Sequence, residues 1–183
     1  MTNDLVSPTE LSYLPGAPFT ADEVDAAVEA LRTALRWHIA PERAETVTLD
    51  VGDCDEVLRL PTRQLVSVDE IRDVDAATVI AASEYRVSKP LAQVKRNYGY
   101  WESGYARIQV DLTHGYESCP RDLLPVIAET AVSQRLTAVR APVMDQPVSI
   151  GDGVSSQMPL TNPLTLGRRH MFDKYALTRA GFA

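Results

Sequence analysis

The sequence predicts an α+β protein. Its parts are a small helical body, an antiparallel β-sheet or sandwich domain inserted between two helices, and extended arms at both termini. Three observations carry that expectation. A strongly signalled helix begins at residue 21, short runs of alternating apolar and polar residues fill the middle, and a second helical pattern follows at 120–140. Short strands separated by polar turns favour an antiparallel sheet over a parallel α/β core.

Residues 1–20 contain three prolines, Pro8, Pro15 and Pro18, and little periodicity, and they read as an extended arm. Thr20 and Glu23 then form a capping-box pair, and Phe19 and Val24 are spaced as a hydrophobic staple. Val24, Ala27, Val28, Leu31, Leu35 and Ile39 recur at helical spacing, which predicts a helix over 21–40 that Pro41 closes. The β insertion is predicted over 45–112. "TVTLDV" places Val47, Leu49 and Val51 on one face, "GDCDE" supplies a turn, and "VLRLP" returns as a second strand. "QLVSVDEIRDV" and "EYRVS" add β-like runs, while "DAATVIAAS" is ambiguous. "LAQVKR" and "YARIQVDL" flank "NYGYWESG", which reads as a hairpin tip, with Ala106, Ile108, Val110 and Leu112 on one face of the last strand. The second helix is predicted over 120–140, with a short turn over Pro120–Leu124 because Pro125 cannot sit deep in a helix. Residues 141–183 read as an extended C-terminal arm, rich in Pro, Gly and Ser until the apolar and aromatic end "RRHMFDKYALTRAGF". Such an end docks on its own domain or on a neighbour.

The chain has 183 residues, of which 18 are basic and 25 acidic, for a net charge of -7. That balance argues against gripping nucleic acid, whose affinity for proteins comes largely from Lys and Arg. Hydrophobic content is 45% and mean hydropathy is -0.14, as in ordinary globular proteins. No apolar run is long enough to cross a bilayer and the N-terminus lacks a secretory pattern, so no membrane partner is expected. Cys54 and Cys119 are too few for a disulfide framework and fit a reducing cytoplasm, with a single disulfide as the alternative.

Candidate chemistry concentrates in "THGYESCP", where His114, Glu117 and Cys119 crowd together. A nucleophile–base site needs a third, orienting group, and no motif supplies one. Local structure accounts for the same residues: Gly115 turns the backbone, Ser118 or Cys119 caps a helix, and Asp122 complements its dipole. A zinc site from Cys54, His114 and Cys119 lacks the usual ligand spacing, and "GDGVSS" lacks the lysine of a phosphate-binding loop. No catalytic residue, cofactor or metal is therefore expected. Tyr98, Tyr100, Trp101 and Tyr105 read either as a stacking platform for single strands or as cross-strand pairs in a hairpin. The basic knot "GRRH" at 167–170 reads as a pairing site for a partner's acidic groups or as a solvated turn.

The order of these pieces resembles the head-to-tail adaptor (head-completion or connector) proteins of tailed bacteriophages, in particular those of actinobacteria. The resemblance runs from about Ala21 to Arg140 and is most specific in "LRLPTRQLVSV" and "VDLTHGYESCPRDLLPVI". It implies a non-enzymatic virion protein of the neck, assembled in the host cytoplasm. Copies would form a ring, usually twelvefold, beneath the portal protein and extend the DNA channel toward the next neck, stopper or tail protein. Neighbouring subunits and the portal are then the partners, and DNA passes without specific binding. A net negative charge suits a channel through which DNA must slide. The expected partner contacts are Arg168, Arg169, Met171, Phe172, Tyr175, Leu177 and Phe182 in the tail, with Tyr100 and Trp101 at the hairpin. The alternatives are another neck or tail component, such as a stopper or tail terminator, and a small hydrolase built on His114 and Cys119.

Overall fold

The computed structural model describes residues 5–140 and 174–177. The chain divides into two compact units at Leu35/Arg36 and again at Cys119/Pro120. The first unit is helical. It contains α1 (Ala21–Leu35) and α2 (Leu124–Arg140), preceded by a 3-10 turn at Pro8–Leu11. The described part of the N-terminal segment is not a free arm, because Leu5, Val6, Leu11 and Phe19 are buried.

α1 begins as its sequence dictates. The Thr20 N–H donates to Glu23 Oε2 at 2.9 Å, and the Glu23 N–H donates to Thr20 Oγ1 at 3.3 Å. Val24, Ala27, Val28, Leu31 and Leu35 form its buried stripe. The helix ends five residues before the predicted Ala40. Arg36 takes a left-handed backbone (φ 67°), which terminates the hydrogen-bond ladder before Pro41 is reached. Ile39 is buried as expected but lies outside the helix, where its carbonyl accepts the Tyr116 N–H at 2.8 Å.

α2 starts at Leu124, after a turn in which the Leu123 N–H donates to the Pro120 carbonyl. The expected short turn and late helix start are present, but Ser118 and Cys119 lie too far upstream to cap it. Val126, Ile127, Ala128, Thr130 and Ala131 form its buried face. Arg135 ties this helix to the N-terminal segment. Its guanidinium reaches Glu23 at 2.6 and 2.8 Å, donates to the carbonyls of Gly16 and Pro18, and lies over the Phe19 ring. The Arg135 bond, then the Thr20 N–H, lower the Glu23 carboxyl to about 2.

The second unit is a β sandwich. Its four-stranded sheet has the order β1-β7-β3-β4, with β1 at Arg43–Val51, β3 at Leu65–Asp73, β4 at Thr78–Val79 and β7 at Gly104–His114. The three-stranded sheet has the order β2-β6-β5, with β2 at Val57–Arg59, β5 at Tyr85–Ser88 and β6 at Gln93–Arg96. Every strand pairing among the described residues is antiparallel. Ile108, Val110 and Leu112 alternate inward from β7 and meet Val51, Leu65 and Ile71 from the same sheet. Leu58 and Val94 enter that core from the other sheet. Ala106 departs from the predicted inward face: it is exposed, has φ 49°, and gives its N–H to Asp50 Oδ1. The ambiguous "DAATVIAAS" contains β4 and a short 3-10 turn at Ala82–Glu84.

Two predicted hairpins are replaced by crossings between sheets. β1 and β2 do not pair with each other, because β1 pairs with β7 and β2 with β6. Likewise "NYGYWESG" is not a hairpin tip: β6 and β7 belong to different sheets, and residues 97–103 carry the chain from one to the other.

Candidate interaction surfaces

His114 sits at the end of β7 and is only 3% exposed. Its Nε2 lies 2.7 Å from Glu45 Oε2, and its ring stands against Trp37 and His38. Burial works to raise the Glu45 carboxyl, but the bonds from His114 and Arg43 outweigh it and hold the group below its usual value. An ionised Glu45 accepts the bond, which places the imidazole proton on Nε2. The partner that a nucleophile–base reading requires is Cys119, and it is not the one His114 has. Gly115 next to it takes φ +112°, and a Cβ there would stand 2.8 Å from the Pro41 carbonyl oxygen. The stretch leads from the end of β7 toward α2, and the bond His114 makes is to Glu45. Neither Cys54 nor Cys119 is in a disulfide, and no group of three His, Cys, Asp or Glu side chains among the described residues could hold a metal. No described helix is long and apolar enough to cross a membrane.

Of the nine expected contact residues, Arg168, Arg169, Met171, Phe172 and Phe182 lie outside the described residues. Tyr175 is docked on its own chain in the helical unit and is 3% exposed. Its hydroxyl donates to both Asp122 carboxylate oxygens at 2.8 Å, and Lys174 Nζ reaches the same carboxylate at 2.9 Å. Burial would raise the Asp122 carboxyl, yet the Lys174 and Tyr175 bonds keep it below its ordinary range. Tyr175 is thus an internal anchor, which corrects its reading as a free partner contact. In the β unit, Arg63 Nε donates to the Ala176 carbonyl at 2.8 Å. Leu177 lines a groove of about 390 Å³ with Leu60, Pro61, Leu91 and Ala92.

Trp101 also requires correction. It is 2% exposed, belongs to the sandwich core, and donates its indole N–H to the Glu56 carbonyl at 3.0 Å. Arg96 covers its ring at 5.3 Å. A side chain held this way cannot reach a partner without unfolding the crossing it anchors. Tyr100 is 54% exposed, and Tyr98 and Tyr105 are 90% and 92% exposed. These three are the exposed members of the aromatic set that the sequence assigned to a hairpin.

Sequence reasoning missed the edge of the larger sheet. Among the described residues, β1 is an edge strand of nine residues paired on one side, with Ala44, Thr46 and Thr48 exposed. The signal available in the sequence was "AETVTL", a run without proline, glycine or lysine, but its edge position depends on pairing with β7.

The chain matches no protein-family model and no curated protein. It is similar to solved structures of gene transfer agent particles. One is the neck of a native particle computed with C12 symmetry, at 17% identity and TM-score 0.58, covering 100% of this chain and 98% of that chain. Another is the virion of a native particle, at 18% identity and TM-score 0.58, covering 97% and 92%. A third is the neck of an empty particle computed with C6 symmetry, at 18% identity and TM-score 0.56, covering 95% and 88%. At these identities the likeness establishes a shared fold over nearly the whole chain.

Proposed function

We propose that this chain is a structural protein of a phage-like virion neck: a head-to-tail adaptor. In this reading its copies form a twelvefold ring beneath the portal, extend the DNA channel, and join the capsid to the tail. The observation that carries the reading is the end-to-end likeness to a chain of a gene transfer agent neck computed with C12 symmetry. The two units give it a physical basis. A ring needs unlike surfaces on each copy, so that one meets the other on its neighbour. The chain offers a sheet edge and exposed tyrosines for such contacts.

A structural, non-catalytic role follows from the same likeness, and His114 supports it by bonding to Glu45 in place of a nucleophile. The portal as partner and the passage of DNA rest on the adaptor resemblance of the sequence. The actinobacteriophage type rests on the stretches "LRLPTRQLVSV" and "VDLTHGYESCPRDLLPVI" alone. A stopper or tail-terminator role is the second reading, since one similar neck was computed with C6 symmetry.

Symmetry and partner decide between them. The purified protein is mixed with its cognate portal and the complex is imaged by electron microscopy. A twelvefold ring seated on the portal is the expected result. A sixfold ring that ignores the portal and binds tail-tube protein would transfer the chain to the second reading.

A further inference from the structure

We propose that β1 is a docking edge whose occupant is the stretch 164–173 of a second copy of this chain, added as a fifth strand to the larger sheet. This pairing presupposes the ring-forming reading above and supplies one of its subunit contacts.

The two edges of the sheet are built differently. On the far side, β3 has register shifts at Leu65/Ser67 and Val68/Glu70, carries Asp69 and Glu70, and is covered by β4 at Arg72–Asp73. Bulges, charges and short covering strands are the devices that keep foreign strands away. β1 carries Arg43, Glu45 and Asp50, but along Thr46–Leu49 it has no bulge, no charge and, among the described residues, no covering strand. Arg43 through Leu49 pair with β7 residue by residue without a shift. No proline, glycine or lysine interrupts them, and Ala44, Thr46 and Thr48 present small uncharged side chains to solvent. Among the described residues, nothing hydrogen-bonds to the outer backbone of this strand. Val47 and Leu49 pack on the core but remain only partly buried, as they would with one neighbouring strand missing. A long, flat, unblunted edge is a template for another strand.

Charge and chain length identify the occupant. β1 and the turn after it expose Asp50, Asp53 and Asp55, while their only basic residue, Arg43, already pairs with Glu45. Outside the described residues, prolines interrupt 141–163 at Pro142, Pro147 and Pro159, with Pro163 just before the proposed strand. The proline-free stretch 164–173, "LTLGRRHMFD", alternates Leu164, Thr165 and Leu166 and then supplies Arg168 and Arg169. Its apolar residues suit the half-covered Val47 and Leu49, and its arginines suit the acidic end of β1. Residues 141–163 allow a tether on the order of 70 Å at full extension, but Lys174 and Tyr175 are held on Asp122 of their own chain, so the neighbouring β1 must start beside that anchor and lie within about 33 Å of it.

Two experiments test the pairing. In the first, Ala44→Lys and Thr48→Lys are combined, since both side chains face solvent and lysines blunt an edge. The expected outcome is an unchanged thermal transition with loss of the ring at concentrations where the parent assembles on the portal. A parent that never forms a ring removes the ring reading and this pairing with it. A parent ring that the double variant reproduces removes the pairing alone. In the second, Thr48→Cys in a Cys54→Ser, Cys119→Ser background carries a benzophenone label, and isotopically light and heavy copies are mixed before assembly and irradiation. Light-to-heavy crosslinks into 164–173 are expected. Crosslinks confined to one copy, or falling on another region, would overturn the proposal.

Discussion

At the scale of single residues, buried polar contacts decide what each side chain can do. Trp101 fills the sandwich core and its indole satisfies the Glu56 carbonyl. Trp101→Ala is expected to destabilise the β unit by about 3–5 kcal/mol. Trp101→Phe removes the indole bond while the carbonyl keeps the Arg96 N–H, and costs about 0.5–1.5 kcal/mol; chemical denaturation followed by circular dichroism measures both. Gly115→Ala forces a side chain into a left-handed backbone against the Pro41 carbonyl, at a cost of about 1–3 kcal/mol. A variant as stable as the parent would show that the junction relaxes. Tyr175→Phe deletes the hydroxyl that donates to Asp122. Faster hydrogen exchange at 174–177, with the global transition nearly unchanged, is the expected result. The sequence reads Trp101 and Tyr175 as partner contacts. Their burial depends on Glu56 and Asp122, distant residues that no local pattern connects to them.

At the scale of elements, local signals worked where the contacts are local. The Thr20–Glu23 box lies within one helical turn, so it was legible, and the structure forms both of its bonds. Thr20→Ala is expected to cost about 1 kcal/mol. Glu23 adds a pH dependence whose sign is fixed. Its carboxyl falls from 4.5 to about 2 on folding, so its contribution is complete above 4.5 and is lost as pH falls toward about 2. Arg135→Met should flatten that part of the acid-unfolding curve of the helical unit. An unaltered curve would mean that Arg135 does not hold Glu23 ionised. The hairpins failed for the opposite reason. Alternation and turn residues identify a strand and its end, but not its partner. β1 and β2 were adjacent in sequence, yet their backbone bonds go to β7 and β6. The helix end was missed because Arg36 adopts a left-handed conformation usually given to glycine or asparagine.

At the scale of the whole molecule, the structural likeness extends over nearly the full chain, while no family model matches its letters. Deleting residues 160–183 is expected to leave a folded monomer, because the sandwich core lies entirely within 51–112 and the α1 and α2 stripes lie before 132. The same deletion should abolish ring formation and portal attachment, measured by light scattering and co-sedimentation with portal. Attachment of the truncated protein at parental strength would remove the tail from the interface. By itself the sequence determined the α+β class, the capped start of α1, the late start of α2, the inward run Ile108–Val110–Leu112, and the acidic character of the chain. These depend on composition and on residues a few positions apart. Only the tertiary structure decided that "NYGYWESG" crosses between sheets, that Trp101 and Tyr175 are anchors, that His114 bonds to Glu45, and that β1 is an open edge. Each of those facts is a pairing between residues far apart in the chain, and one-dimensional periodicity carries no information about which distant strand closes a ladder.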